Sequence, residues 1–241
     1  MQNPMMIILT LSFAAYLFAL WKRPFLYAGL LLQVVYITMR GAELGRLPLV
    51  GPHDTITFMA ASIAAFAVPF GYALKKKAPF FNSITSMNAI FTMFALTSKQ
   101  HNSPLPPILK TIWFEFHVVL AFMSYALFGI AAVLGYLYLR EKDSIVDGLQ
   151  YRAVLIGYCL FTLSMVFGGI WAYLAWGTYW IWTPKELWTS ILWTWYSFHL
   201  HARLRQWWMG KPMAYVSMVG FAVVLFTYLG VSLLMKSSHS F

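Results

Sequence analysis

The chain has 241 residues, of which 61% are hydrophobic and only 10% charged, against about 25% charged in a soluble protein. That excludes a soluble globular domain and predicts an all-α, polytopic membrane helical bundle, with residues 1–241 forming one integral membrane domain in the lipid bilayer. The formal net charge of +10 is spread over short loops, which argues against a nucleic-acid partner and fits the positive-inside bias of membrane proteins.

Eight apolar segments follow one another along the chain, each long enough to be read as a transmembrane helix. They are Met5–Leu20, Pro24–Met39, Thr55–Leu74, Phe80–Thr97, Ile112–Leu139, Arg152–Trp171, Leu187–Leu204 and Met213–Met235. The first two are short, and the fifth is long enough to project beyond the bilayer. None alternates with the period-two pattern of a barrel strand. The first apolar run starts almost at Met1 with no basic region before it, so no cleavable signal peptide is expected. The single cysteine, Cys159, lies in an apolar segment, which excludes an intrachain disulfide and a Cys-x-x-Cys redox motif.

The loops carry the orientation. Ser98–Lys110, with Pro104, Pro106 and Pro107, is expected to be extended, and Arg140–Tyr151 reads as a short charged connection. Lys22, Arg23, Lys75, Lys76, Lys77, Arg140, Lys142, Arg152, Arg203, Arg205 and Lys211 fall on one side, 11 in all. Arg40, Arg46, Lys99, Lys110, Lys185 and Lys236, six residues, fall on the other. The richer side is assigned to the cytoplasm. Both termini and the loop after Trp171 then face outward.

That loop is the most unusual stretch. Seven of the 11 tryptophans lie between Trp171 and Trp195. Trp176, Trp180, Trp182 and Trp188 crowd around Gly177 and Pro184, which give the loop a defined path. Trp21, Trp113, Trp207 and Trp208 are explained by the aromatic belt at the membrane interface. So many indoles in one loop are suited to a large, flat aromatic ligand. Lys185 either pairs with Glu186 or meets an anionic group of that ligand.

Six histidines complete the set: His53, His101, His117, His199, His201 and His239. The topology places His117 near the outer end of the fifth span and His239 just beyond the eighth, on the same face as the tryptophan loop. Two imidazoles beside an aromatic surface are what a bis-histidine heme requires, and each alone would read as an ordinary interfacial residue. His201 lies roughly 20 Å along the seventh span from Leu187, taking 1.5 Å per residue. An ionisable residue at that depth marks a candidate functional site. His199 is about 200° away around the helix, so the two cannot serve one point.

Trp176-Gly-Thr-Tyr-Trp-Ile-Trp-Thr-Pro-Lys-Glu-Leu-Trp188 resembles the tryptophan-rich WWD loop of heme-handling proteins. Its Pro-Lys-Glu ending is similar to the CcsA/ResC branch of system II cytochrome c biogenesis, whereas the system I relative CcmC diverges after the tryptophans. His117-Val with Ser124-Tyr125-Ala126, Leu200-His201-Ala-Arg203, His239-Ser-Phe241 and Gly45-Arg-Leu-Pro48 resemble further segments of that family. The resemblance covers the chain from about Gly45 to Phe241. It departs at Thr183, where the family usually has Asp, which removes a carboxylate from the loop.

The resemblance implies a protein that receives heme b and presents it on the outer face of a membrane, best placed as a bacterial inner membrane. His117 and His239 would be the axial ligands, and the tryptophan loop would grip the macrocycle. His201 would belong to an intramembrane heme site. The acceptor would be the Cys-x-x-Cys-His motif of apocytochrome c, with a CcsB/ResB-type membrane partner, as a subunit of a cytochrome c synthase. A HemX-like regulator of heme metabolism and a b-type electron-transfer cytochrome are the competing expectations.

Overall fold

The computed structural model describes residues 4–75 and 77–231. All regular structure among the described residues is helical, as expected for a polytopic membrane bundle. Eight α-helices follow in order: α1 Pro4–Ala19, α2 Pro24–Leu44, α3 Pro52–Ala73, α4 Ala78–Thr97, α5 Ile112–Glu141, α6 Ser144–Trp176, α7 Pro184–Ala202 and α8 Lys211–Leu225. Five are long and apolar enough to cross a membrane: α2, α3, α5, α6, and α8 together with the π-helical turn Phe226–Gly230 that continues it. α1 is apolar but shorter.

The helix ends follow local chemistry. α2, α3, α4, α7 and α8 each carry a proline in the first two positions, where its missing N–H costs no hydrogen bond. Gly45 and Gly177 close α2 and α6 in the left-handed conformation, which glycine adopts without a Cβ penalty. Arg140–Tyr151 is not a loop. Lys142 closes α5 with φ 52°, and the Asp143 carboxylate caps α6 by accepting from Ile145 N at 2.8 Å. The charges there are helix-terminal residues, and only positions 142 and 143 connect the two helices. The segment after Thr97 is irregular apart from a 3-10 turn at Pro107–Leu109.

The chain divides into two compact units, Met1–Pro104 and Leu105–Phe241. The first is built from α1–α4 around a buried polar lane. Tyr16 donates to Gln33 Oε1 at 2.6 Å, and Gln33 Nε2 donates to Thr92 Oγ1 at 3.0 Å. One turn along α2, the Tyr36 hydroxyl meets His53 Nε2 at 2.5 Å, while His53 Nδ1–H donates to the Ala95 carbonyl at 2.7 Å. A further turn on is Arg40, 1% exposed, held by Glu43 at 2.9 Å, Asp54 at 3.4 Å and Asn102 Oδ1 at 2.5 Å. His53 therefore ties α3 to α2 and α4, and the His101 backbone carbonyl accepts from Arg40.

In the second unit α5 and α6 form a long hairpin, with α8 against α5 and α7 bridging α6 and α8. Small residues set the spacing, as in membrane bundles generally. A Cβ on Gly157 would fall 2.9 Å from the Phe128 ring, and one on Gly135 would fall 2.9 Å from the Ala214 carbonyl oxygen. Phe128 stacks face to face on Tyr196 at 3.6 Å between centroids, filling the interior between α5 and α7. The sequence expectation that His199 and His201 diverge is met. His199 is buried and bonded to Ser217 at 2.9 Å, whereas His201 is exposed in the last turn of α7.

Candidate functional site

A pocket opens in the second unit where the first turns of α5, the last turns of α6, the tryptophan loop and the π-helical turn converge. α5 contributes His117, Ala121, Phe122 and Tyr125, spaced along one helical face. α6 contributes Phe161, Ser164, Gly168 and Trp171, again one face. The π turn brings in Thr227 and Tyr228. A π turn adds a residue to the helical repeat, and such turns concentrate at functional sites. The lining is mostly apolar, with a few convergent polar groups, which is the usual character of a cofactor-sized site.

The loop itself spans only residues 177–183, because α6 runs on to Trp176 and α7 begins at Pro184. Thr178 Oγ1 accepts from Trp180 N at 3.2 Å, making a local turn. Trp182 has φ 58°, a left-handed conformation that non-glycine residues rarely adopt. Glu186, buried at the start of α7, accepts from the backbone N–H of both Ile181 at 3.0 Å and Thr183 at 2.9 Å. Thr183 Oγ1 in return accepts from Glu186 N at 3.3 Å, completing a capping box. The substitution of Thr for the usual Asp therefore falls on an N-cap, a role both side chains can fill. The carboxylate that organises the loop is that of Glu186.

The predicted site residues take different places. His117, Trp180 and Lys185 line the pocket. Trp176 stands behind the wall, edge-on to Trp171 at 4.9 Å. Trp188 packs on Phe226 at 4.5 Å and buttresses the π turn. Gly177 and Pro184 shape the loop ends. Trp182 is 68% exposed and stands edge-on to Trp180 at 6.4 Å, whereas Tyr179, 61% exposed, lines the pocket. His201 is not part of this pocket. It lies sixteen positions along α7 from Lys185, roughly 24 Å of helix rise. Its Nδ1–H donates to the Ser197 carbonyl at 2.8 Å. His239 lies outside the described residues.

His117 is held in a particular way. Its Nδ1–H donates to the Ser164 carbonyl at 2.9 Å, which leaves the lone pair on Nε2, the tautomer that can ligate a metal. Trp171, whose ring lies within 12° of parallel to the imidazole at 6.5 Å, is anchored by its own N–H to the Ile108 carbonyl at 2.7 Å. A neutral imidazole nitrogen, indole walls and the Lys185 ammonium suit an iron macrocycle with anionic side groups. The cavity, about 170 Å³, is smaller than the roughly 300–1,000 Å³ of pockets that enclose a whole ligand. It can take one edge of a macrocycle, with the remainder across the exposed loop rings. Sequence reasoning missed Ser164, Gly168, Tyr179 and Glu186. Only Glu186 had a visible signal, the Thr-x-x-Glu spacing of a capping box.

Over residues 50–239 the chain matches the family described as Cytochrome C assembly protein. It is similar to the cytochrome c biogenesis protein CcsA of Chlamydomonas reinhardtii, at 32% identity over 88% of this chain and 65% of that protein. It is similar also to the CcsA proteins of Guillardia theta, at 30% identity over 89% of this chain and 84% of the relative, and of Synechococcus sp. (strain CC9605), at 26% identity over 100% and 98%. The chain thus spans just under two thirds of the Chlamydomonas protein and most of the other two.

Proposed function

The chain belongs to the cytochrome c assembly protein family, on its CcsA branch, and from that premise we propose that it binds heme and presents it on the outer face of the membrane for covalent attachment to apocytochrome c. The observation that carries this is the His117 imidazole, with Nε2 left free for iron, in an aromatic pocket that also holds Lys185. His117 would hold the heme iron through Nε2, and His239, outside the described residues, would be the second residue to hold it. Trp171 and Trp180 line the macrocycle edge, Trp182 and Tyr179 cover its exposed face, and Lys185 meets a propionate. Heme b is the species received, since attachment to cysteine thiols consumes its vinyl groups. His201, on an exposed face of α7 with its Nε2 also left free, belongs to an intramembrane site that a CcsB/ResB-type partner completes. The membrane is a bacterial inner membrane with the tryptophan loop outward, as the 11-to-6 split of Lys and Arg favours.

The departure at Thr183, which would favour the competing HemX-like regulator if it altered the loop, falls on the N-cap of α7. The test is purification with a co-expressed partner, followed by an absorption spectrum. His117→Gly is expected to remove the axial-histidine heme signature, and added imidazole to restore it. Attachment of heme to a Cys-x-x-Cys-His reporter should stop without the chain. A heme-free wild type, or attachment at normal levels without the chain, would overturn the proposal.

A further inference from the structure

His117 and Ser164 are interlocked through each other's backbone. The imidazole Nδ1–H donates to the Ser164 carbonyl at 2.9 Å, and the Ser164 hydroxyl donates to the His117 carbonyl at 2.7 Å. The same hydroxyl oxygen lies 3.1 Å from Nδ1, near enough to share its hydrogen. Serines inside helices usually bond back to the carbonyl four residues earlier on their own helix, as Ser197 does to Trp193. Ser164 instead reaches across to α5. Ser164 is fully buried, in surroundings where a polar side chain without a partner is costly.

Gly168 makes the arrangement possible. A Cβ at this position would stand 2.6 Å from His117 Nδ1 and 2.9 Å from Cε1. The imidazole therefore occupies the notch left by the missing side chain, one turn along α6 from Ser164. Any other residue at 168 would push the ring away from the carbonyl that fixes its tautomer.

We propose that Ser164 and Gly168 are positioning residues that hold His117 as the Nε2 ligand of the outer heme and strengthen it as a donor. This rests on the proposal that His117 ligates heme. A ligating histidine whose second nitrogen donates to a carbonyl is fixed in orientation and made more basic, and loss of such support typically costs roughly 10–100-fold in affinity. A stronger imidazole donor stabilises ferric over ferrous iron, so the clamp also lowers the reduction potential of the bound heme.

The test uses the full-length chain, produced with its membrane partner and labelled with ¹⁵N-histidine. In heme-free protein, the His117 resonances are expected to show a protonated Nδ1 and an unprotonated Nε2. Gly168→Ala, which displaces the ring from the Ser164 carbonyl, should move that signal toward a mixture of tautomers, and Ser164→Ala, which keeps the carbonyl and loses only the hydroxyl contacts, should move it less. In the heme-loaded form, both variants should lower heme affinity at least several-fold and raise the midpoint potential. Ser164→Thr, which keeps the hydroxyl, should recover both values. An Nε2-protonated His117 in the wild type, or variants with unaltered tautomer and potential, would overturn the assignment while leaving heme binding intact. Loss of the heme proposal itself would show separately, as a heme-free wild type whose His117 tautomer is still the one described.

Discussion

Individual residues explain why the loop after α6 holds its shape. Glu186 gathers two backbone N–H groups with one oxygen, and Thr183 caps the helix that Glu186 begins. Thr183→Asp is expected to leave stability and heme occupancy near wild type, because Asp is at least as good an N-cap. Thr183→Val removes the acceptor and should cost about 1 kcal/mol, read as a lower thermal midpoint in detergent. A large loss of heme in the Asp variant would show that the hydroxyl, and not the cap, is what the loop needs. Trp182 stands differently. Its left-handed backbone costs a non-glycine residue about 1 kcal/mol or more, and its ring is mostly exposed. Its ring contact, edge-on to Trp180 at 6.4 Å, leaves most of the indole uncovered. Trp182→Gly is expected to hold or raise the thermal midpoint and to weaken heme retention. A variant that loses stability while holding heme normally would refute that separation.

Secondary-structure elements were largely legible in the sequence, and the reason is hydrophobic patterning. Over their described residues all eight apolar segments correspond to helices, although α6 begins well before and ends past its apolar run. The first turns of α6 carry Asp147, Gly148 and Gln150, so hydropathy alone reads them as loop. By hydropathy Arg140 and Asp147 read as connection residues, yet Arg140 sits in the last turn of α5 and Asp147 in the first turn of α6. Asp147 also receives a two-pronged bond from Arg203, at 2.9 and 2.5 Å. The pocket was legible only in part. His117, Trp180 and Lys185 could be singled out by residue type, whereas Ser164 and Gly168 are common residues whose role depends on the rotation of α6 against α5. The buried cation of the first unit was equally hidden. Arg40 looked like a loop charge and lies inside, beside Asp54. Arg40→Ala leaves that carboxylate without its guanidinium, and breaking a buried pair costs roughly 3–5 kcal/mol. Poor accumulation and early thermal aggregation are expected, with Arg40→Lys only partly restoring them because Lys lacks the fork that reaches Glu43, Asp54 and Asn102 together. An Arg40→Ala protein as stable as wild type would show that the cluster does not support the fold.

At the scale of the molecule, the α5–α6 hairpin decides which surfaces can meet on one side of a membrane. α6 has 33 residues, about 50 Å at 1.5 Å per residue, more than the roughly 30 Å of a bilayer core. If α6 spans, its two ends emerge on opposite sides. The 142–143 connection and the 177–183 loop are then separated by the membrane whichever way the helix points. The positive-inside bias favours one direction, with Arg140, Lys142 and Arg152 at one end of the hairpin against Lys185 beyond the other. The single native cysteine, Cys159, sits mid-helix and can be replaced to give a cysteine-free background. In that background Thr178→Cys is expected to react with a membrane-impermeant maleimide in intact cells. Lys142→Cys should react only after the membrane is permeabilised. The reverse pattern would turn the tryptophan loop to the cytoplasm, and His117, at the same end of the hairpin, would turn with it. Heme could then still bind the pocket, but it would no longer face an apocytochrome on the outer side. Labelling of both positions in intact cells would instead mean that α6 does not span.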